Sequence, residues 1–186
     1  MGVPYEFDAE RFSRWMAYAL RHNPTRYGLS PDRNGYVDLE LFCLTATQRY
    51  PGMTEERLRS LIDAGGSGRF ELIGNRLRAR YGHSIAVEPP GPTVVPPAWL
   101  YYGTEAGHAQ MMLAQGLEPA DRHFVHLSET ADDALAIARH KTDRPAIIRI
   151  NAQEASQAGV VFYREHRVYL AARIGPQFLS LEPVAA

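Results

Sequence analysis

Residues 70–80 read FELIGNRLRAR, two short runs on either side of the pair Gly74-Asn75. Alternation of apolar and polar residues is typical of a β-strand with one buried face, and a Gly-Asn pair between two such runs is typical of a tight turn. The stretch therefore predicts a β-hairpin.

The returning strand of this hairpin carries three arginines. A period of two residues puts Arg76, Arg78 and Arg80 on one face of the strand and Leu77 and Ala79 on the other. The result is a row of guanidinium groups, which could bind an anion. An ordinary solvated strand face has the same spacing, and the spacing alone favours that plainer interpretation.

Three helical patterns precede the hairpin. Asp8 can cap a helix whose apolar residues recur in steps of three and four from Phe12 to Leu20 and which ends before Pro24; two more helices are predicted after Asp38 and Thr54. Three helices followed by a hairpin is the order of a winged-helix domain. That fold commonly binds nucleic acid, although a fold alone does not assign a function.

Five prolines lie between residues 89 and 97, where they remove backbone donors that a helix or central strand requires. We therefore expect a linker at 89–98 between an N-terminal lobe, 1–88, and a C-terminal lobe, 99–186.

Strand and helix patterns alternate in the C-terminal lobe. Strands are predicted near 99–102, 124–127, 146–150, 160–163, 168–170 and 178–181, and helices only over 106–115 and 131–140. The first strand is expected to end at Gly103-Thr104. Several short strands with two helices predict an α+β lobe, so the whole chain is expected to be α+β.

Composition narrows the class of protein. The chain has 186 residues, 45% of them hydrophobic and 22% charged, and it contains no apolar stretch near the roughly 20 residues that span a membrane. Its acidic, aromatic beginning differs from a signal peptide. We expect a folded, soluble, cytoplasmic monomer with no membrane partner. A single cysteine and seven histidines without ligand spacing predict no metal site.

Almost all the positive charge is on arginine, since Lys141 is the only lysine among 20 basic residues. Guanidinium groups suit bidentate contact with phosphate, but the base composition of the genome explains such a bias more simply.

The sequence has no glycine-rich dinucleotide turn and no Walker loop. The run Gly65-Gly66-Ser67-Gly68 precedes a strand rather than a helix, so we expect an ordinary turn there.

Short motifs spread along the chain occur in a recognisable order. They are Leu20-Arg21-His22-Asn23-Pro24, Gly28-Leu29, Asp32-x-x-Gly35-Tyr36-Val37, Leu77-Arg78-Ala79-Arg80-Tyr81-Gly82-His83-Ser84, Leu100-Tyr101-Tyr102-Gly103-Thr104, Val125-His126-Leu127-Ser128, Ala138-Arg139-His140 and Phe162-Tyr163. Together they resemble the motifs of the tRNA 2′-phosphotransferase family, and they cover nearly the whole chain.

The resemblance implies a winged-helix RNA-binding lobe followed by an ADP-ribosyltransferase-like lobe that binds NAD⁺. Members of the family move an internal RNA 2′-phosphate to NAD⁺. The 2′-phosphate attacks the nicotinamide ribose carbon and expels nicotinamide, and the ribose 2″-hydroxyl then attacks phosphorus. The implied products are RNA with a 2′-hydroxyl and ADP-ribose 1″,2″-cyclic phosphate. The implied reaction needs no metal ion.

The family's catalytic set falls on Arg21, His22, Arg78 and Arg139. A phosphomonoester carries roughly −1.5 to −2 charges, so arginines around it can bind it and stabilise the transition states. The resemblance also implies residues that bind NAD⁺, namely Tyr102, Gly103, Thr104, His126, Ser128 and Tyr163. Residues implied to bind the RNA are Arg76, Arg80, His83 and Ser84. Cations at helix C-termini are favoured without any function, which is the plainer explanation of Arg21, His22 and Arg139.

One departure from the family pattern concerns Tyr102, which stands where the family has histidine. A phenol can donate one hydrogen bond but cannot act as an imidazole.

Two other functions stay open at this point. One is ADP-ribosylation of terminal phosphates on RNA or DNA, and the other is a non-catalytic winged-helix module that binds nucleic acid.

Overall fold

The structure is a computed structural model that describes residues 7–64, 68–89 and 91–183. It divides the chain into two compact units, 1–88 and 89–186. Each unit contains one antiparallel sheet, and the described residues form six α-helices in all. Residues 65–67 of the predicted glycine-rich turn lie outside the described residues. No helix within the described part combines the length and apolar character that a membrane span requires.

The first unit contains the three predicted helices, α1 (Ala9–Arg21), α2 (Leu39–Arg49) and α3 (Glu55–Ala64). Asp8, Asp38 and Thr54 cap them, each accepting a hydrogen bond of 2.9–3.2 Å from the backbone N–H three residues later. These caps satisfy N–H groups that the first helical turn leaves without partners. The helix starts predicted from the sequence are therefore confirmed.

The first sheet has the order β1-β3-β2, with β1 (Val37–Asp38), β2 (Phe70–Ile73) and β3 (Arg76–Ala79). The predicted hairpin is confirmed, and Gly74 turns the chain with a φ of +58° that favours glycine. Leu77 and Ala79 are buried, as the alternation predicts. Strand β1 was not predicted because two residues are too few to show a period.

The core of the first unit holds α1 against the hairpin. Phe12 and Leu20 of α1 are fully buried together with Phe42, Leu58 and Leu77. Burial of a large apolar side chain stabilises a fold by about 1.5–3 kcal/mol. The last turn of α1 is thereby fixed near β3, the strand that carries Arg76 and Arg78.

The second unit has a six-stranded sheet of order β7-β8-β5-β4-β6-β9, antiparallel throughout. Its strands are β4 (Trp99–Glu105), β5 (Val125–Ser128), β6 (Pro145–Asn151), β7 (Phe162–Glu165), β8 (Val168–Ala171) and β9 (Leu179–Glu182). Its helices are α4 (Ala106–Gln115), α5 (Ala131–Arg139) and α6 (Ala152–Gln157).

Two expectations about the second unit were wrong. A third helix, α6, is present; its six residues have no apolar stripe, but Asn151 caps it by accepting a hydrogen bond from the Glu154 N–H at 3.1 Å. Strand β4 also continues through Gly103-Thr104 to Glu105, because it pairs with β6 as far as Pro145.

Part of the proline-rich segment is ordered against the second unit. The Val94 N–H donates a hydrogen bond of 2.8 Å to the Phe162 carbonyl and forms an isolated bridge with β7. That segment therefore contributes to the packing of its own unit. The lobe and linker boundaries remain a prediction.

Candidate active site

The end of α1 is joined to the segment that follows β3. The Ser84 N–H donates a hydrogen bond of 3.0 Å to the Arg21 carbonyl, and the His22 Nδ1 lies 2.9 Å from the Ser84 hydroxyl. Either partner of the second pair can donate, according to the imidazole tautomer. These bonds bring Arg21, His22 and Ser84 together, although 61 intervening residues separate His22 from Ser84 in the sequence.

The Arg21 guanidinium lies beside two aromatic rings and a glycine. Its central carbon is 5.2 Å from the centre of the Tyr81 ring and 5.8 Å from that of Phe70. A Cβ at Gly82, whose φ is +86°, would lie 3.4 Å from the Arg21 Nη1. A side chain there would only touch the guanidinium, so it is the positive φ of Gly82, rather than a lack of space, that favours glycine beside Arg21.

A single carboxylate, that of Glu71, connects two arginines of the hairpin. Its Oε2 accepts hydrogen bonds from the Arg78 Nε at 2.7 Å and from the Tyr36 hydroxyl at 2.6 Å. The Arg78 Nη2 is 2.6 Å from the same oxygen, and the Arg80 Nη1 is 2.8 Å from Oε1. The side chains of Glu71, Arg78 and Arg80 are 15%, 13% and 24% exposed, so the group is mostly shielded from water.

The pKa of the Glu71 carboxyl reflects these contacts. Its burial raises the pKa, but hydrogen bonds from Tyr36 and Arg78 and the charges of Arg78 and Arg80 outweigh burial. The pKa consequently lies below its ordinary value of 4.5. Burial and the bond to Glu71 raise the pKa of the Tyr36 phenol, so that phenol stays protonated as a donor.

This cluster predicts acid-sensitive stability. Because the Glu71 pKa is depressed in the folded state, its contribution is complete above pH 4.5 and is lost as the pH falls through the lower folded value. We expect Glu71→Gln to reduce the free energy of unfolding by about 1.5–3 kcal/mol at neutral pH, the usual contribution of hydrogen bonds to a charged group. Denaturant titrations of both proteins from pH 7 to pH 3 should show that difference shrinking below pH 4.5. A pH-independent difference would contradict the assignment.

The third arginine of the row has its own partners. Arg76 forms an ion pair with Asp32, which also accepts hydrogen bonds of 2.9 Å from the backbone N–H groups of Asn34 and Tyr36. The guanidinium carbons of Arg76 and Arg78 lie 4.2 and 4.8 Å from the centre of the Tyr36 ring. Each cation–π contact of this kind contributes about 0.5–1 kcal/mol to stability at an exposed site. The row is thus an organised cluster, not the ordinary solvated face that spacing alone favoured.

His83 differs from the other residues implied to bind the RNA. It is 6% exposed, and a Cβ at Gly35, whose φ is +82°, would lie 3.2 Å from its Nε2. Its burial favours a packing role under the loop at Gly35. Ser84 is exposed, as is Arg76.

In the second unit, β4 and β5 share little pairing near the residues implied to bind NAD⁺. Among the described residues, pairing between these strands is confined to Tyr101 and Ser128. Backbone groups on the facing edges beyond this pair are therefore not joined in a ladder. We call these two strand segments without mutual ladder pairing, Tyr102–Thr104 and 125–127, the β4–β5 notch.

Helix α5 packs closely on β4. A Cβ at Gly103 would lie only 2.0 Å from the Ala134 carbonyl oxygen, closer than any side chain can approach. This contact sets the position of α5, whose last residue is Arg139. Arg139 is exposed, and none of residues 7–64, 68–89 and 91–183 forms an ion pair with it. Thr104, next to Gly103, is 9% exposed.

Tyr102 lies against the core of the second unit, packed on its buried apolar residues. Burial raises the pKa of its phenol, and the charge of Arg122 opposes that rise. Because successive strand residues point to opposite faces, Tyr102 and Gly103 face opposite sides of β4. The structure therefore does not bring these two residues to one surface.

The other residues implied to bind NAD⁺ share a face of the sheet. His126 of β5 and Tyr163 of β7 both stand opposite Leu170 of β8, and directly opposed residues lie on one face. Ser128, two residues beyond His126, has the same orientation and is 7% exposed. His126 and Tyr163 are half-buried. Their role in binding NAD⁺ remains a prediction.

Comparison with known proteins identifies the family. Residues 8–173 match the family model described as RNA 2′-phosphotransferase, Tpt1/KptA family. The chain belongs to the RNA 2′-phosphotransferase family. It is 33% identical to a protein of Thermococcus kodakarensis over 94% of this chain and 97% of the relative. It is 36% identical to a protein of Lacticaseibacillus paracasei over 91% of each chain, and 33% identical to one of Streptomyces coelicolor over 91% of this chain and 93% of the relative. Each relative is named "Probable RNA 2′-phosphotransferase".

Membership of the RNA 2′-phosphotransferase family confirms the resemblance seen in the sequence motifs and makes the chain a transferase that removes a 2′-phosphate from RNA.

Sequence reasoning gave no role to Glu71 or Tyr36. The signal for Glu71 was available, because a two-residue turn at Gly74-Asn75 puts Glu71 opposite Arg78. Tyr36 approaches the hairpin only through tertiary packing, which no local pattern predicts.

Proposed function

We propose that this RNA 2′-phosphotransferase uses NAD⁺ as the acceptor of the RNA 2′-phosphate. The products would be RNA with a 2′-hydroxyl, nicotinamide and ADP-ribose 1″,2″-cyclic phosphate. The observation that carries the proposal is the organised arginine cluster of the first unit, with Arg21, His22 and Arg78 present in a chain of this family. We further propose that the first unit is a winged-helix lobe, supported by its element order α1-β1-α2-α3-β2-β3.

The charge of the cluster suits a phosphomonoester. Arg78, Arg80 and Glu71 together carry a net charge of +1, and Arg21 beside Phe70 adds another positive charge. A 2′-phosphate with a charge of roughly −1.5 to −2 would be attracted to this surface. Arg139 of the second unit, exposed and without an ion pair among the described residues, is proposed as a further member of the catalytic set.

The second unit is proposed to hold NAD⁺ and to be ADP-ribosyltransferase-like. The β4–β5 notch supports this, because strand edges that are not joined in a ladder offer N–H and carbonyl groups to a ligand. His126, Ser128 and Tyr163 share one face of the neighbouring strands and add polar groups there. No glycine-rich turn is needed for such a site.

In the proposed reaction a 2′-phosphate oxygen forms a bond to the ribose carbon, and nicotinamide leaves with the electron pair of the broken C–N bond. The ribose 2″-hydroxyl then attacks phosphorus, and the RNA 2′-oxygen leaves and takes up a proton. The arginines would bind the phosphate and stabilise charge on its oxygens as both steps proceed. His22, held by Ser84, would hold or pass a proton, since an imidazole titrates near neutral pH.

An assay with two oligonucleotides tests the proposal. The protein is incubated with NAD⁺ and RNA that carries either an internal 2′-phosphate or a 5′-phosphate, and products are identified by mass spectrometry. We expect 2′-hydroxyl RNA, nicotinamide and the cyclic phosphate from the first substrate only. ADP-ribose attached to the 5′-phosphate, with the 2′-phosphate left intact, would instead support ADP-ribosylation of terminal phosphates. RNA binding without release of nicotinamide would support a non-catalytic module.

Binding of NAD⁺ should raise the melting temperature by mass action. At a concentration near 100 times the dissociation constant, stabilisation is about 2.7 kcal/mol, or about 5–10 °C for a chain of this size. We expect His126→Ala to reduce this shift and His123→Ala, an exposed histidine before β5, to leave it unchanged. Wild-type melting that does not respond to millimolar NAD⁺ would refute the proposed site.

A further inference from the structure

Glu71 stands at the centre of the arginine cluster and has no assigned role. It lies directly opposite Arg78 in the β2–β3 hairpin, and its side chain is 15% exposed. Its two oxygens serve different arginines, Oε2 binding Arg78 and Oε1 binding Arg80. The Tyr36 hydroxyl donates a further hydrogen bond to Oε2.

The contact with Arg78 restrains the orientation of its guanidinium. Both Nε and Nη2 of Arg78 approach Oε2, at 2.7 and 2.6 Å, so rotation of the guanidinium out of this position would break two contacts. The Tyr36 ring, 4.8 Å from the guanidinium carbon, restrains the group from one side. Charge-assisted contacts of this type are short and directional.

The same carboxylate keeps two positive side chains close together. Arg78 lies on β3 and Arg80 directly follows that strand, and without a shared counter-ion their charges would repel in a region that is mostly shielded from water. Glu71 offsets one of the two charges and fixes the spacing of the groups. A rigid pair of guanidiniums with a net positive charge is suited to bind a phosphate in one orientation.

We infer that Glu71 is a positioning residue for phosphate transfer, acting through Arg78 and Arg80, with Tyr36 fixing its carboxylate. This inference rests on the proposed role of Arg78 at the RNA 2′-phosphate. It assigns Glu71 an effect on the orientation of the phosphate-binding groups rather than on the attraction of RNA.

The substitution Glu71→Gln separates orientation from attraction. Glutamine keeps the size of the side chain but removes the negative charge, so the electrostatic attraction of RNA should not decrease. Loss of orientation should lower kcat on the order of 10–100-fold, because small displacements at reacting atoms are costly. We expect KM for 2′-phosphorylated RNA to stay the same or fall. Tyr36→Phe, which removes only the hydroxyl, should lower kcat in the same direction by less.

Glu55→Gln provides a matched control. Glu55 on α3 binds the Nε and Nη2 of Arg59 at 2.8 and 2.7 Å, a similar contact in the same unit but with an arginine that has no proposed role. The full-length variants are assayed with NAD⁺ and 2′-phosphorylated RNA, and the folded fraction is measured by circular dichroism at the assay temperature. We expect Glu55→Gln to retain the wild-type kcat.

The outcomes distinguish this inference from the proposed function. A folded Glu71→Gln protein with wild-type kcat would overturn the inference, as would a loss explained entirely by its unfolded fraction. If Glu71→Gln does not fold, Tyr36→Phe decides: reduced kcat supports the inference, and wild-type kcat overturns it. Inactive wild-type protein would refute the proposed function itself, whereas active wild-type protein with inactive Arg78→Ala and normal Glu71→Gln would refute only the role of Glu71.

Discussion

Arg78→Ala should lose nearly all 2′-phosphate removal, and because it also removes a partner of the buried Glu71 carboxylate, it should lower the free energy of unfolding by about 1.5–3 kcal/mol. Each charge-assisted contact that the guanidinium makes to a phosphate oxygen contributes about 1.5–3 kcal/mol, or roughly 10–150-fold in rate. Two such contacts would together bring activity close to background. The measurement is kcat/KM for an RNA oligonucleotide with one internal 2′-phosphate, at saturating NAD⁺.

Arg139→Ala should give a similar loss of 2′-phosphate removal, and here the loss is easier to separate from an effect on stability. Arg139 is exposed and forms no ion pair within the described residues, so its removal should leave the melting temperature unchanged. Stabilisation of the helix C-terminus accounts for at most about 1 kcal/mol at an exposed site. An activity loss at constant stability would therefore exclude the plainer explanation of Arg139 as a cation that only favours the end of α5.

Matched substitutions control both experiments. Arg59→Ala removes an arginine that, like Arg78, binds a glutamate through Nε and Nη2, and Arg144→Ala removes another exposed arginine of the second unit. Both should retain wild-type turnover. Wild-type turnover of 2′-phosphorylated RNA by folded Arg78→Ala or Arg139→Ala would remove that residue from the catalytic set.

The hairpin at residues 70–80 was predictable because its information is local. The alternation of apolar and polar residues determined which face of each strand is buried. The Gly74-Asn75 turn determined the pairing register, which places Glu71 opposite Arg78. The caps at Asp8, Asp38 and Thr54 were predictable for the same reason. Helix α6 was not, because its six residues show neither an apolar stripe nor helical length.

The site in the second unit was less accessible to sequence reasoning. The motif residues Gly103 and Ser128 were found by resemblance, yet the β4–β5 notch depends on strands that pair across long separations. Strand order follows from tertiary packing, which local patterns do not encode. The same limit applies to Tyr102: its motif position suggests a ligand contact, whereas the sheet turns it toward the core.

Gly103→Ala should destabilise the second unit, although it adds only one methyl group. The new Cβ would lie 2.0 Å from the Ala134 carbonyl oxygen, 2.9 Å from its carbonyl carbon and 3.1 Å from the Ala138 Cβ. Two of these atoms belong to the backbone, so no side-chain rotation can relieve the contact and α5 must move. Overpacking typically costs 1–3 kcal/mol, or about 2–12 °C in melting temperature for a chain of this size.

Gly107→Ala on α4 is the matched control, since a Cβ there would have nothing within 4 Å. Alanine is favoured over glycine in a helix by about 1 kcal/mol, so this variant should melt at or above the wild-type temperature.

Because α5 ends at Arg139, Gly103→Ala should also reduce phosphate removal in whatever fraction remains folded. Thermal melting followed by turnover at a temperature where both variants are folded measures the two effects. Wild-type melting of Gly103→Ala would show that α5 does not depend on this close approach; lowered melting with full turnover would show that Arg139 tolerates the displacement of its helix.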